Sequence, residues 1–182
     1  MNDKKTTKEK IEDALISLMS TTDVQDIRVK EVVNLANVTR ATFYRHYDSV
    51  GAVIQGLETA LLEAIRELNK YFVSSKMSLE EPDKFVYNLT KLLFEKREFI
   101  KAINGPHGDP QFLYKATKLT REFYGGKIAY ENMQSEYLDF YIAFALGGHN
   151  SFIDYWLRIR PEVDSDIAAK LIFKFMFSIF KN

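Results

Sequence analysis

Apolar residues return at every third and fourth position through most of this chain, and short polar stretches separate the runs. Ile11, Ala14, Leu15, Leu18 and Met19 put one buried face on a first helix, capped by Thr6 or Thr7 and running to about Ser20. Thr21-Thr22-Asp23 reads as a turn, with Val24 and Ile27 tucked back into the core. Val29, Val32, Val33 and Ala36 form a second, shorter stripe. It is interrupted by Asn37, which tolerates the left-handed backbone that ends a helix. Thr39 is the N-cap candidate for a third helix to about Tyr47, with Phe43 and Tyr47 assigned to the core.

Beyond Ser49 the pattern lengthens. Val53, Leu57, Ala60, Leu61, Ala64, Ile65 and Leu68 predict one long helix to about Val73, followed by a polar connection from Ser74 to Glu81. Pro82 suits the first turn of a helix that carries Phe85, Val86, Leu89, Leu92, Leu93 and Phe94. Lys96-Arg97-Glu98 is expected to kink it before a short piece ending at Ile103, and Asn104 to Pro110 has turn chemistry at almost every position. Helical spacing resumes at Phe112, with Gly125-Gly126 expected to weaken or bend that segment. An apolar helix is expected from about Ser135 to Ile159, and Asp164 or Ser165 caps the last one after Pro161. No strand pattern survives. The chain reads as all-α with about nine helices.

Two short helices joined by a tight turn, the second carrying Arg40, Thr42, Tyr44, Arg45 and His46, form a helix-turn-helix. The second has the size and polarity to lie in a major groove of DNA. Residues 1–48 are therefore expected to be a three-helix DNA-binding domain, and residues 49–182 a larger helical bundle for dimerisation and ligand binding.

The stretch from Arg28 to Val53 resembles the DNA-binding domain of the TetR family of bacterial transcription regulators. The resemblance rests on Val32-Val33-Asn34-Leu35-Ala36-Asn37-Val38-Thr39 and on Thr42-Phe43-Tyr44-Arg45-His46-Tyr47. Two positions depart from the family pattern: Asn37 replaces the usual Gly, and Val50 replaces a Lys that customarily contacts phosphate. Carried over position by position, Lys30 and Arg40 are implied to read bases, both being long donors that reach guanine O6 and N7. Thr42 is implied to meet a thymine methyl or a phosphate, and Tyr44, His46 and Thr39 to meet phosphates; Arg28 is a further phosphate candidate. The run from Gly147-Gly148 to Trp156-Leu157 resembles one C-terminal domain type of that family, common in low-GC Gram-positive bacteria.

Composition changes this picture only in places. The 182 residues are 46% hydrophobic and 14% aromatic, enough for a sizeable and unusually aromatic core. The absence of Cys and of any membrane-length apolar run fits a cytoplasmic protein. Net charge is zero, so attraction to DNA has to be local. Arg28, Lys30, Arg40 and Arg45 outweigh Glu31 in the helix-turn-helix, and Lys4, Lys5, Lys8 and Lys10 add a basic arm.

The final helix is apolar nearly all round, with Leu171, Ile172, Phe175, Met176 and Ile179 on one side and Phe173, Phe177 and Phe180 on another. Two faces need cover, and a twofold-related copy supplies the second economically. Phe152, Trp156, Phe173, Phe177 and Phe180 are the candidate dimer contacts. The resemblance implies pairing through two C-terminal helices in a four-helix bundle.

A small apolar or aromatic effector is expected in the larger domain, lined by Phe94, Phe99, Tyr114, Phe123, Tyr137, Tyr141 and Phe144, with His149 or Asn150 fixing its orientation. His107, in the Gly-Pro loop, is expected to be exposed. No His pairs at metal-ligand spacing, and no nucleophile–base pair or phosphate-cradling Gly loop appears, so neither metal, cofactor nor enzyme activity is expected. The resulting expectation is a homodimeric repressor on a palindromic operator, released by a small molecule. An activator of the same fold, or an adaptor that binds protein through it, stays open.

Overall fold

The computed structural model describes residues 5–74, 82, 84–131 and 138–178, by backbone alone at 69–74, 120, 123–131, 138, 141–142 and 176–178. Among these there are nine helices and no strand: α1 (Thr7–Leu18), α2 (Val29–Ala36), α3 (Arg40–His46), α4 (Val50–Ser74), α5 (Lys84–Glu95), α6 (Arg97–Ile103), α7 (Pro110–Glu131), α8 (Leu138–Ile159) and α9 (Ser165–Ser178). The chain forms two compact units. The first comprises Met1–Leu61 and Glu98–Phe112, the second Leu62–Arg97 and Leu113–Asn182. The long helix α4 contributes to both.

Local chemistry explains the ends of the first unit's helices. Thr6 and Glu9 make a reciprocal capping box at α1: the Glu9 amide donates to Thr6 Oγ1 (3.2 Å) and the Thr6 amide to Glu9 Oε2 (2.7 Å). At α2 only half of this is made, because Arg28 has no acceptor, but its amide donates to Glu31 Oε2 at 2.8 Å. Asn37 ends α2 in the left-handed conformation, φ 53° and ψ 51°. The Val38 amide then reaches back to Val33 O (3.0 Å) and the Asn37 amide to Asn34 O (3.3 Å), the paired bonds of a Schellman turn. Thr39 Oγ1 accepts from the Thr42 amide at 3.1 Å and starts α3. Ser49 Oγ accepts from the Ala52 amide at 3.1 Å and starts α4.

Many of the apolar positions predicted from spacing are buried, while Leu18, Val24 and Val29 are only partly covered. Ile11, Leu15, Met19, Ile27, Val32, Val33, Phe43 and Val53 are all at most 5% exposed, joined by Phe99, Ile100, Ile103 and Phe112 from the second segment of the unit. Each such side chain contributes about 1.5–3 kcal/mol. Tyr47, expected in the core, is half-buried instead: its ring meets Phe43 while its hydroxyl donates to Glu12 Oε1 at 2.5 Å. Burial, reinforced by that carboxylate, raises the phenol's pKa well above its ordinary value.

In the second unit α5 and α8 both pack against α9. Its core includes Phe85, Leu89, Leu93, Ala145, Leu146, Ile153, Leu157, Ala168, Ala169 and Ile172. Trp156 is central: its ring stacks on Phe94 (centroids 5.7 Å apart, 21° between planes) and its Nε1 donates to Val163 O at 2.9 Å. The Arg97 guanidinium covers the Phe94 ring at 4.4 Å. Pro82 precedes α5 by two residues and is not its first turn, and α7 runs unbroken through Gly125-Gly126. The start of α8 near Ser135 lies outside the described residues.

Candidate nucleic-acid interface

The buried Phe43 fixes the orientation of α3. At about 100° per residue, Ala41 and Arg45 each lie about 160° from it, pointing straight away from the core. Arg40 and Tyr44 flank them on one side, Thr42 and His46 on the other. Arg40, Ala41, Tyr44, Arg45 and His46 are all exposed, and Tyr44 is 55% exposed although its ring edge rests on Phe43. An apolar anchor thus holds a helix whose outward half is basic, aromatic and hydroxylated. Arg45 and Ala41 were not singled out as readers from the sequence, though the helical angle from Phe43 was available there.

The two threonines act as a pair. Thr39 Oγ1 and Thr42 Oγ1 lie 2.9 Å apart, and Thr39 Oγ1 also accepts the Thr42 amide. Two hydroxyl protons share one mutual bond, so whichever donates, one proton remains for a phosphate oxygen. Arg28 and Lys30 are exposed at the start of α2. Val50, in place of the customary Lys, is 8% exposed and turned into the unit's core, so it offers nothing to a phosphate. The basic arm is weaker than its composition implies. Lys5 Nζ sits 2.6 Å from Asp13 Oδ2, which raises its pKa, and Lys8 lies 3.8 Å from Glu12 Oε1. Lys4 lies outside the described residues.

The expected effector residues fall in both units. Phe99 is buried in the first unit, edge-on to Phe112 at 6.0 Å, whereas Phe94 and His149 belong to the second. Tyr114 and Phe144 are 72% and 71% exposed and line no interior. Both were candidates as aromatics, with no spacing argument to tell inward from outward. Tyr137 and the side chains of Phe123 and Tyr141 lie outside the described residues. In the second unit His149 is buried, which lowers its pKa to about 4, and the adjacent Asn150 donates through Nδ2 to Thr117 Oγ1 at 3.0 Å. Among the described residues no cluster of His, Cys, Asp or Glu is arranged to hold a metal ion, and no helix is long and apolar enough to cross a membrane.

The expected dimer contacts differ in exposure. Trp156 and Phe173 are 2% and 7% exposed and belong to their own unit's interior. Phe152 is half-buried against Phe175, at 6.3 Å. Phe180 and the Phe177 side chain lie outside the described residues. The outward apolar stripe is a different set, in which Phe140, Phe144, Tyr155 and Ile159 on α8 join Ile167, Leu171 and Phe175 on α9. His107 is also less free than expected, since it meets Asp23.

Comparison with known proteins bears on both units. No curated protein matches the chain by sequence. Among solved structures, a TetR transcriptional regulator from Streptococcus agalactiae aligns with TM-score 0.61 and 24% identity over 93% of each chain. The fatty acid degradation regulator FadR from Bacillus halodurans aligns with TM-score 0.67 and 13% identity over 100% of each. A TetR-family regulator from Syntrophomonas wolfei aligns with TM-score 0.65 and 12% identity, over 97% of this chain and 95% of its own. At these identities the three establish a shared fold. Residues 80–178, more than half the chain, match the family model of a transcriptional regulator C-terminal region of TetR type. With that region at one end and a capped helix-turn-helix at the other, the chain belongs to the TetR family of transcriptional regulators.

Proposed function

We propose that this regulator binds double-stranded DNA through α3 and the start of α2, as a homodimer on a palindromic operator. The observation that carries this reading is the outward face of α3, where Arg40, Ala41, Tyr44, Arg45 and His46 stand exposed opposite the fully buried Phe43. Arg40 and Arg45 can each form the two-pronged bond to guanine O6 and N7, and the Ala41 methyl suits contact with a thymine methyl. Lys30 reaches into the groove from α2. Tyr44, His46, Arg28 and the Thr39–Thr42 pair meet phosphates and hold the register.

The dimer is supported by the exposed stripe on α8 and α9, which is larger in apolar side chains than a free surface usually keeps. Gly147 and Gly148 lie in the middle of it, and a Cβ added at either would meet nothing within 4 Å. A bare backbone there lets a twofold-related helix approach closely. Such a dimer spaces two recognition helices about 34–36 Å apart, one turn of the duplex. We further propose that the regulator is a cytoplasmic repressor released by a small apolar or aromatic molecule held in the second unit, near Phe94, His149 and Asn150. Release requires that the ligand favour the arrangement that binds the operator less well.

The test is a fluorescence-anisotropy titration of the protein against the DNA upstream of its own coding region, at two salt concentrations. Saturable binding to one palindrome, weakening steeply with salt, is expected as condensed counterions are released. Weak binding that does not distinguish sequences would defeat the reading and favour an adaptor that binds protein.

A further inference from the structure

The chain leaves the first unit within α4 at Leu61, re-enters it at Glu98 and leaves again at Phe112. This returning segment holds most of α6 and the loop that follows, which is wound tightly on main-chain bonds. The Asn104 amide donates to Ile100 O, Gly105 to Ala102 O, Gly108 to Gly105 O and Asp109 to Ile103 O, each at 3.1 Å. A Cβ on Gly108 would stand 1.9 Å from the Ile103 carbonyl oxygen, so only glycine fits there.

The loop presents His107 to the turn between α1 and α2, 84 residues away in sequence, at two points. His107 O accepts the Val24 amide at 2.9 Å, and His107 Nδ1 lies 2.5 Å from Asp23 Oδ1. The turn is closed on the same residue, since the Asp26 amide donates to Asp23 O at 2.8 Å. Ile27, 4% exposed, follows as its anchor, and Arg28 then starts α2. Whatever fixes Asp23 and Val24 therefore fixes the entry angle of α2, and with it Arg28 and Lys30.

We propose that His107 is a positioning residue for DNA binding, clasping Asp23 and Val24 so that α2 enters the helix-turn-helix at the angle the duplex requires. The proposal rests on the DNA-binding reading above. His107 itself touches no DNA. Both partners of the clasp lie within the first unit, and the returning segment is continuous along the chain with the second at each end. A single exposed side-chain contact contributes little, but here it is added to a main-chain bond at a point that sets a helix.

The experiment is a double-mutant cycle in the full chain. Operator affinity, thermal midpoint and amide exchange at Val24 are measured for H107A, D23A, the D23A/H107A double variant and H107Q. Each alanine variant is expected to weaken operator binding about three- to tenfold, the double variant to be no weaker than either single one, and Val24 exchange to quicken. H107Q, whose amide still donates to Asp23, should return affinity to within about twofold of the unaltered protein. Unaltered affinity in the alanine variants would overturn the proposal. So would losses that multiply in the double variant, or losses in H107Q as large as in H107A. If the unaltered protein binds no operator, the DNA-binding reading fails and the clasp with it. Binding by the unaltered and alanine variants alike defeats the clasp alone.

Discussion

Asn37 holds a backbone conformation that costs a residue with a Cβ about 1–2 kcal/mol, less for Asn, whose short amide can bond locally. Replacing it with Gly should leave stability unchanged or slightly raised, whereas Asn37→Ala should cost about 1 kcal/mol, read from the urea midpoint at constant m-value. Arg45 makes a prediction of another kind. Arg45→Ala should relax the preference for guanine at one operator position by about 1–3 kcal/mol while leaving other positions unchanged. A uniform loss with a shallower salt slope would make it a phosphate contact instead. His149 couples stability to pH. Its folded pKa of about 4 lies below its ordinary 6.5, so the unfolded chain binds the extra proton between those values. The contribution is present above about pH 6.5 and is lost as the pH falls towards 4, by at most about 3 kcal/mol. Comparing acid unfolding of the unaltered protein with His149→Gln isolates this term from the carboxylates.

At the scale of the element, α9 shows what periodicity does and does not say. Ile167, Leu171 and Phe175 recur every four residues and face outward, while Ala168, Ala169, Ile172 and Phe173 face inward. Both sets are apolar, so the spacing alone could not rank them, and Phe173 was expected on the wrong side. Asp166, Lys170 and Lys174 lie beside the outward apolar stripe and are exposed, which gives that face a charged rim. On α8, Gly148 is exposed with open space around it, so Gly148→Leu should fold as well as the unaltered chain. Light scattering should nevertheless find it monomeric at concentrations where the unaltered protein is dimeric. An unchanged dimer would place the interface elsewhere. Trp156→Phe, by contrast, should cost about 2–3 kcal/mol without changing assembly, since it removes the bond to Val163 O and leaves a cavity beside the Phe94 ring.

For the whole molecule the charge balance matters more than any one contact. A net charge of zero gives little long-range attraction, and Lys5 and Lys8 are already engaged with Asp13 and Glu12. Binding should therefore depend on the few cations of α2 and α3. The logarithm of affinity should fall with the logarithm of salt concentration at about 0.9 per phosphate neutralised. Lys5→Ala should leave that slope nearly unchanged, and Lys30→Ala should reduce it or relax specificity. The same two levels explain how much was legible beforehand. The caps, the turn at Asn37 and the buried face of each short helix depend on residues within four positions of one another, and these were readable. The stacking of Phe94 on Trp156 and the return of His107 to Asp23 each join residues dozens apart.

Sequence by itself determined an all-α chain, its helix order, the helix-turn-helix and the family resemblance that residues 80–178 bear out. The first three follow from backbone hydrogen bonding and a 3.6-residue period, which are local, and the resemblance from the identity of the motif residues themselves. Tertiary structure alone decided which of two apolar faces is inward on α8 and α9. It also brought His107 back to Asp23 across 84 residues of chain. The physical reason is shared: burial is a property of what packs against a residue, and nothing in a residue's own neighbourhood along the chain specifies its partner.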